Sequence, residues 1–481
     1  MYLGIDIGTS GVKAVLADDG QKVVDQASAP LPVSRPRPLW SEQRPADWWR
    51  ATNEAVGKLD TRARQAVKAV GLSGQMHGAT LLDRNDEVLR PAILWNDGRS
   101  GEACRAMTET LPELTEITGN LAMPGFTAPK LWWMREHEPE TFAKVAKVLL
   151  PKDYVRLLMT GNYASDMSDS AGTLWMDVAA RDWSDAMLDL TGLSRAHMPE
   201  LFEGSEAPGT LTAEVADSWG MAQVPVAAGG GDNAAGAVGT GVVKPGQGFV
   251  SLGTSGVVFV ASETFAPNTD GAVHTFCHAV PDTWHQMSVI LSAASAVDFV
   301  ARVAGFKTEG DLYAQVGDAK TPGRGAMFLP YLSGERTPHN DPHAKGAFWG
   351  LSHEDTPTTL GQAALEGVAF ALADGVDAMM AAGVEMRGLD VIGGGSRSRW
   401  WGKVIASAID IPLTYRDASS VGPAFGAARL ARMASTGETL EAVSTPPPVD
   451  HVIEPDAEMV DLYKERRSLF SKLYHATKEL V

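Results

Sequence analysis

The segments "GIDIGTSGVKAV", from Gly4, and "FVSLGTSGVVFV", from Phe249, lie about half the chain apart and share a Gly-Thr-Ser-Gly-Val core behind an apolar run. A repeat at that spacing marks two related units. Each copy reads as a β-hairpin: a short apolar strand, turn chemistry in "GTSG", then a second apolar strand. The copies differ at a chemically loaded position, with Asp6 in the first and Ser251 in the second.

Further echoes follow in the same order. "AVKAVGLSGQ" and "GLDVIGGGSR" are buried-type strands running into glycine-rich turns. "VPVAAGGGDNAAGAVGTG" and "IPLTYRDASSVGPAFGAARLA" each run from a strand, through a polar turn, into a helix of small residues. The expected organisation is therefore two duplicated α/β domains around a cleft, at 1–243 and 250–440, joined through "GVVKPGQG" at 241–248. A length of 481 residues suits two domains. "SAPLPVSRPRPLW" reads as a proline-rich loop. The tail, 441–481, reads as an extended linker, "STPPPVDHVIEPD", followed by a helix with Met459, Leu462, Tyr463, Leu469, Phe470, Leu473 and Tyr474 at helical spacing. That helix is expected to pack on the body; a homodimer contact is the alternative.

Charge narrows the partners. A formal charge of −18 repels phosphate backbones and anionic lipid, so neither nucleic acid nor a membrane surface is an expected partner. An anionic small molecule must then be held by local devices. Cys104 and Cys277 form no disulfide framework, and reduced thiols in a cytoplasmic compartment are the expectation. "MYLGIDIGTS" lacks a basic region and carries Asp6 within its first apolar run, unlike a signal peptide. "VPVAAGGGDNAAGAVGTGVV" contains Asp232 and is too polar and flexible for a membrane span.

A Gly-Thr-Ser-Gly turn offers several backbone N–H groups and two hydroxyls, and glycine lets the backbone approach an anion closely. Two such turns, one per half, can clamp a polyphosphate; two ordinary β-turns are the bland alternative. No G-x-x-x-x-G-K-[ST] is present. "GGGSRS" from Gly393 ends in Ser398 where a dinucleotide fingerprint wants Gly or Ala. Glycine backbone against a nucleobase or ribose accounts for it equally well, as does a tight strand-to-helix turn. In "GGGDNAAGA", Asp232 opens a helix, where a carboxylate is ordinarily an N-cap. Three preceding glycines also let a substrate come close, and a carboxylate there can take the proton of an attacking hydroxyl. "GLSGQMHG" puts Gln75, Met76 and His77 after a strand, where open α/β sheets bind ligands. "LWNDGRS" puts Asn96, Asp97 and Arg99 after another apolar run, as hydroxyl-recognising groups or as a plain turn. The pairs Trp48/Trp49, Trp132/Trp133 and Trp400/Trp401 read as packing residues, with stacking on a sugar as the alternative.

Together these segments resemble the FGGY family of carbohydrate kinases over essentially the whole chain. "GIDIGTSGVK" and "SLGTSG" resemble its phosphate hairpins and "GGGDNAAGA" its catalytic segment. "PGFTAPKLWWMREHEP" and "FLPYLSGERTPHNDPHAKGAFWGL" resemble its long signatures, and "LEGVAFAL" and "VIGGGSRSRWW" its nucleotide-side elements. "SGQMHGATLLD", "ILWNDGRS" and "WSEQRPADWW" look most like the members acting on xylulose. The resemblance implies an actin-like ATPase (ribonuclease-H-like) fold and transfer of the ATP γ-phosphoryl group to the 5-hydroxyl of D-xylulose. It implies Asp232 as general base and Asp6 as a second acid holding Mg²⁺. Met76 and His77 would line the sugar site with Asn233 nearby. Gly8, Thr9 and Ser10 would bracket the phosphates with Gly253, Thr254 and Ser255, with Lys13 as a further contact. Gly393, Gly394 and Gly395 would lie against adenosine. A kinase for another ketose or a polyol, and a nucleotide switch of the actin or chaperone type, are the rival expectations.

Overall fold

The computed structural model describes residues 1–417 and 422–480. Two mixed β-sheets carry the molecule. The first is ordered β5-β6-β4-β1-β2-β3, with β1 at Tyr2–Ile7, β2 at Gly11–Ala17, β3 at Val23–Pro30, β4 at Ala69–Gly74, β5 at Gly209–Thr210 and β6 at Pro225–Gly231. The second is ordered β9-β10-β8-β7-β11-β12-β13, with β7 at Gly248–Leu252, β8 at Gly256–Ser262, β9 at His274–Cys277, β10 at Trp284–Ile290, β11 at Leu389–Ile392, β12 at Leu413–Arg416 and β13 at Val449–Ile453. In each sheet a strand and its hairpin partner run antiparallel, a third antiparallel strand follows, and two parallel strands lie on the other side. The two repeats seen in the sequence are thus equivalent hairpins, β1–β2 and β7–β8, at the centres of equivalent sheets.

Register explains where the chemistry collects. Ile7 of β1 pairs with Gly74 of β4, and Gly74 with Gly231 of β6, so the three parallel strands end level. The next residues along each strand are the first hairpin turn, Gln75–His77 and Asp232. In the second sheet Ser251 of β7 pairs with Ile392 of β11, which brings the second turn beside Gly393. Ligands in open α/β sheets bind at such carboxyl ends.

Five helices frame the sites: α1 (Asp232–Thr240), α2 (Pro357–Ala381), α3 (Arg399–Ile409), α4 (Pro423–Thr436) and α5 (Ala457–Lys478). Helix α4 follows β12 in the chain, yet it lies across the backbone of the first sheet. A Cβ at Gly4 would stand 1.8 Å from the Ala424 carbonyl oxygen, and one at Gly71 would stand 1.9 Å from that of Ala427. Helices α1 and α4 cross equally closely, since a Cβ at Gly426 would lie 1.7 Å from the Ala235 oxygen. Small residues make this approach feasible; Ala424, Ala428 and Ala431 form a buried cluster with Tyr2, Val15 and Ala227. The second half therefore reaches into the first, a docking that chain order alone does not display. Part of the polar turn ahead of α4, at 418–421, lies outside the described residues.

Helix α5 packs on the second core through Met459, Tyr463, Phe470, Leu473 and Tyr474, with Leu462 at its margin and Leu469 facing outward. The expected linker is partly a strand: "VDHVI" forms β13 on the edge of the second sheet, where His451 stacks on Tyr415. Its β-branched residues can use the free edge of β12, which the prolines before it leave unoccupied. Among the described residues no helix is long and apolar enough to cross a membrane. Both cysteines are free and buried.

The helix crossing generates a stability prediction. Gly426→Ala must force α1 and α4 apart, at a cost of about 1–3 kcal/mol that exceeds its gain in helix propensity. Gly57→Ala, at an exposed helix end with nothing within 4 Å, should be neutral or slightly stabilising. Urea denaturation of the two variants side by side measures the contrast.

Candidate active site

Two chambers lie between the sheets. The larger, about 540 Å³, is lined by Phe249, Ser251, Val391, Ile392, Gly393, Ser396, Tyr415 and Arg416 from the second half, and by Gly236 and Thr240 of α1. The smaller, about 240 Å³, is lined by Met76, His77, Trp95, Met123 and Phe126 from the first half, and by Ser255, Val257, His274, Phe276 and Arg336 from the second. Asp232 and Asn233 line both. Each chamber draws on both halves, so the halves do not divide the ligands cleanly between them.

Asp232 is the first residue of α1, and Gly231 takes the N-cap position without any side-chain bond. The carboxylate is therefore not a cap. Its Oδ1 accepts from the Asn233 backbone N–H at 2.8 Å and from Asn233 Nδ2 at 2.9 Å, while Oδ2 accepts no protein hydrogen bond. Burial, then the charge of Asp6, pushes Asp232 up to about 7. Burial likewise pushes Asp6 up to about 6, against the pull of Ser73 and Lys13. Both neighbours follow from register: Asp6 pairs with Lys13 across the hairpin and with Ser73 across the parallel side.

The peptide ahead of Asp232 is pinned from behind. The Gly231 N–H donates to Ser168 Oγ at 3.1 Å, and Ser168 Oγ donates to Asp166 at 2.5 Å. Asp166 pairs with the fully buried Lys152 at 2.8 Å, which also meets Asp153 and Asp169. Arg156 donates to the carbonyls of Ala227 and Ala228 in β6. Nothing in the sequence signals these supports, because they are ordinary helix residues brought under β6 by tertiary packing.

His77 adopts a left-handed backbone, φ +67°, at the end of its loop. Its Nδ1 lies 2.6 Å from the Gly172 carbonyl oxygen, and burial drives its pKa down to about 3. A neutral ring beside a carbonyl must carry its proton on Nδ1, which leaves Nε2 as an acceptor. Gln75, by contrast, is buried outside the chamber. Its Oε1 accepts from Thr9 Oγ1 at 3.0 Å and its Nε2 donates to Gln43 Oε1 at 2.8 Å. Gln43 in turn donates to the Thr9 carbonyl and accepts from Trp48, while Trp95 donates to Thr9 Oγ1. This chain of bonds holds the first hairpin turn, so Gln75 supports the site instead of facing it.

Asp97 and Asn96 also lie outside the chamber. Asp97 accepts from the Ser41 N–H and pairs with Arg99 at 2.7 Å, and Arg99 meets Glu42 at 2.8 Å and stacks on Trp40. The carboxylate is committed to a scaffold network, and Asn96 is exposed. Their neighbour Trp95, half-exposed, supplies the chamber wall that the sequence pattern assigned to them. Of the tryptophan pairs, Trp48 and Trp401 are fully buried.

Of the phosphate candidates, Ser255 lines the smaller chamber and Gly393 the larger. Gly8, Thr9, Ser10, Gly253 and Thr254 sit at the hairpin turns and Lys13 lies in β2, and none of them lines either chamber. The second turn is buttressed by Ala293, Ala294 and Ser295, which donate to the Thr254 and Gly253 carbonyls. Gly393 has φ +92°, and a Cβ there would stand 2.7 Å from the Leu252 oxygen, so glycine is required at that turn. Gly394 is open to solvent, whereas Gly395 abuts the Trp401 ring. Among the described residues no group of three or more His, Cys, Asp or Glu forms a metal cage. Asp6 does keep a buried Oδ1 with no partner. One free carboxylate fits a cation such as Mg²⁺, which keeps waters and takes substrate phosphate oxygens.

Two chambers meeting at one desolvated carboxylate, on duplicated sheets, define a two-substrate transferase with an actin-like ATPase fold. Both domains of the FGGY family of carbohydrate kinases match: the N-terminal domain over residues 1–239 and the C-terminal domain over residues 248–435. The xylulose kinase of Escherichia coli (strain K12) is 54% identical over 476 residues, 98% of each chain, and that of Klebsiella pneumoniae is 51% identical over 483 residues, all of each chain. The crystal structure of a xyloylose kinase from Brucella ovis superposes over all of both chains with a TM-score of 0.97 at 51% identity. This chain belongs to the FGGY family and is a carbohydrate kinase.

The raised acid has a measurable consequence. Asp232 keeps its proton in the folded state up to about pH 7, whereas the unfolded chain releases it near 3.8. Folding stability therefore falls as pH rises through that window and levels above it. Asp232→Asn removes this loss, so its melting temperature should gain on the parent's between pH 4.5 and 8. A constant difference across that range would contradict the raised value.

Proposed function

We propose that this chain phosphorylates D-xylulose on its 5-hydroxyl, with ATP as donor and Asp232 as general base. The observation that carries the reading is that Asp232 and Asn233 alone, among the described residues, border both chambers. A group moving from one ligand to the other must pass that border. The full-length identity to two bacterial xylulose kinases supports the choice of sugar.

In this reading the sugar occupies the smaller chamber and the nucleotide the larger, with adenosine beside Gly393. The hairpin turns Gly8–Ser10 and Gly253–Ser255 present N–H groups and hydroxyls to the phosphates, with Lys13 alongside. Asp232 Oδ2 takes the proton of the sugar hydroxyl as that oxygen bonds to the γ-phosphorus. The bond from that phosphorus to the β,γ-bridging oxygen breaks, and ADP leaves. His77 Nε2 accepts from a second sugar hydroxyl, which helps to hold the attacking one in line. Mg²⁺, held by Asp6 directly or through water, offsets the charge of the triphosphate when bound. The proposed domains are 1–243, which supplies the base and the first-half wall of the sugar chamber, 250–440, which supplies most of the nucleotide chamber and the other wall of the sugar chamber, and 441–481, the linker and C-terminal helix. Closure about the 241–250 join excludes water, which would otherwise compete as acceptor.

ADP release measured with ATP–Mg²⁺ across ketopentoses, ketohexoses and polyols should show strong stimulation by D-xylulose. Stimulation by another member alone would overturn the sugar assignment. Asp232→Ala should lower kcat at least ~10²-fold with sugar binding retained. Near-normal turnover in that variant would remove Asp232 from the role of base.

A further inference from the structure

In the smaller chamber, Arg336 is a cation without an ion pair among the described residues; the charge of Glu335 acts on it, but that carboxylate accepts from the Leu291 and Arg336 backbone N–H groups. Its guanidinium makes one protein hydrogen bond, from Nη1 to His274 Nε2 at 3.3 Å, and no carboxylate among the described residues forms an ion pair with it. Burial lowers its pKa, while part of the side chain stays open to the chamber. The chamber's apolar lining includes Met123, Phe126, Val257, Phe276, Met287 and Val289, and its other polar side chains include His77, Asn233 and Ser255. A guanidinium in apolar surroundings with unused donors is costly unless a ligand meets them.

Its position is fixed from two directions. The backbone at 335–337 is clamped to the end of β10: Glu335 Oε1 accepts from the Leu291 N–H at 2.9 Å, and Thr337 N–H donates to the Val289 carbonyl at 3.1 Å. The side chain is aimed by a relay. Asn120 Nδ2 donates to the carbonyls of Thr118 and Thr275, which sets the amide so that Oδ1 faces His274 Nδ1 at 3.1 Å. The ring's proton therefore sits on Nδ1, and the bare Nε2 accepts from Arg336. Burial and the Arg336 charge keep His274 neutral, so this polarity persists. Arg336 lines the same chamber as Asp232 and His77.

We propose that Arg336 is a specificity-determining residue that receives the carbonyl end of the sugar, so that the chamber selects α-hydroxyketones over polyols of the same carbon chain. This rests on the kinase reading above. Arginine offers donors only and no acceptor. A ketone oxygen has two in-plane lone pairs and no proton, so the guanidinium fork satisfies it fully. A hydroxyl in the same place brings a proton that neither the guanidinium nor His274, whose acceptor nitrogen is already used, can accept. A site built for one hydrogen-bonding pattern rejects the analogue that leaves a buried group unpaired.

The test compares D-xylulose with xylitol and D-arabinitol, its two C2-reduced forms, using full kinetics and calorimetric binding on the intact chain. Arg336→Gln should raise KM for D-xylulose about 10- to 100-fold with kcat changed only a few-fold, the scale of one lost charged hydrogen bond. Binding of the two polyols should change by no more than about 2-fold on that scale, so the ketose preference shrinks. His274→Ala, which frees the guanidinium without removing it, should move the preference the same way by less, and Arg336→Lys should restore part of it. Equal weakening of ketose and polyols, or an unchanged ketose KM, in any variant that folds overturns the proposal while leaving the kinase reading intact. A parent enzyme that turns over neither ketose nor polyol sinks both.

Discussion

The close crossing of α1 and α4 is the contact on which the rest of the molecule depends. Backbone meets backbone there, with Gly426 against Ala235 and Gly4 and Gly71 against the rungs of α4. The two sheets also meet through a shared apolar cluster and through Asn120, which bonds the Thr275 carbonyl. With α4 laid over the first sheet, the helix that begins at Asp232 is gripped on one side by its own β6 and on the other by a helix from the opposite half. The carboxylate stands where it does because both halves hold the same short helix. Even a methyl at Gly426 would shift the helix that carries the acid before it touched either ligand.

Around that anchor the site is built from desolvated acids and committed polar groups. Burial raises both Asp6 and Asp232, and the charge of Asp6 raises Asp232 further. His77 and His274 are held neutral, each with its tautomer dictated by a single oxygen, from Gly172 and Asn120 respectively. The smaller chamber thus presents the acceptors Asp232 and His77 from the first half and the donor Arg336 from the second, with Asn233 and Ser255 among its apolar walls. Behind the first hairpin turn, a run of bonded polar side chains leads from Trp48 through Gln43 and Gln75 to Thr9.

Much of this was legible in the chain. The hairpins, their equivalence, the strand-to-helix passage at Asp232 and the packed C-terminal helix all follow from local pattern, because turn chemistry and apolar periodicity act over a few residues. What escaped were decisions made by tertiary neighbours. Gln75 and Asp97 have the right chemistry at the right strand ends, but pairing with Gln43 and Arg99 turned them to the scaffold. Trp95 and Arg336 come from loops with no periodic signal, and only folding brings them to one cavity. The docking of α4 on the first sheet was equally hidden, since a run of Ala and Gly says that something comes close without naming it. "VDHVI", read as linker, became a strand because an unpaired edge was within reach.

The Asn120–His274–Arg336 relay runs across the seam between the copies. Asn120 belongs to the first half, the other two to the second, and the amide reaches over to the Thr275 carbonyl. Sugar choice in such a molecule is a joint property of sequences some two hundred residues apart. A drift in either half that misaligns the relay changes the ligand before it changes the fold. The duplicated domains, free to diverge elsewhere, are bound at this point to one shared history.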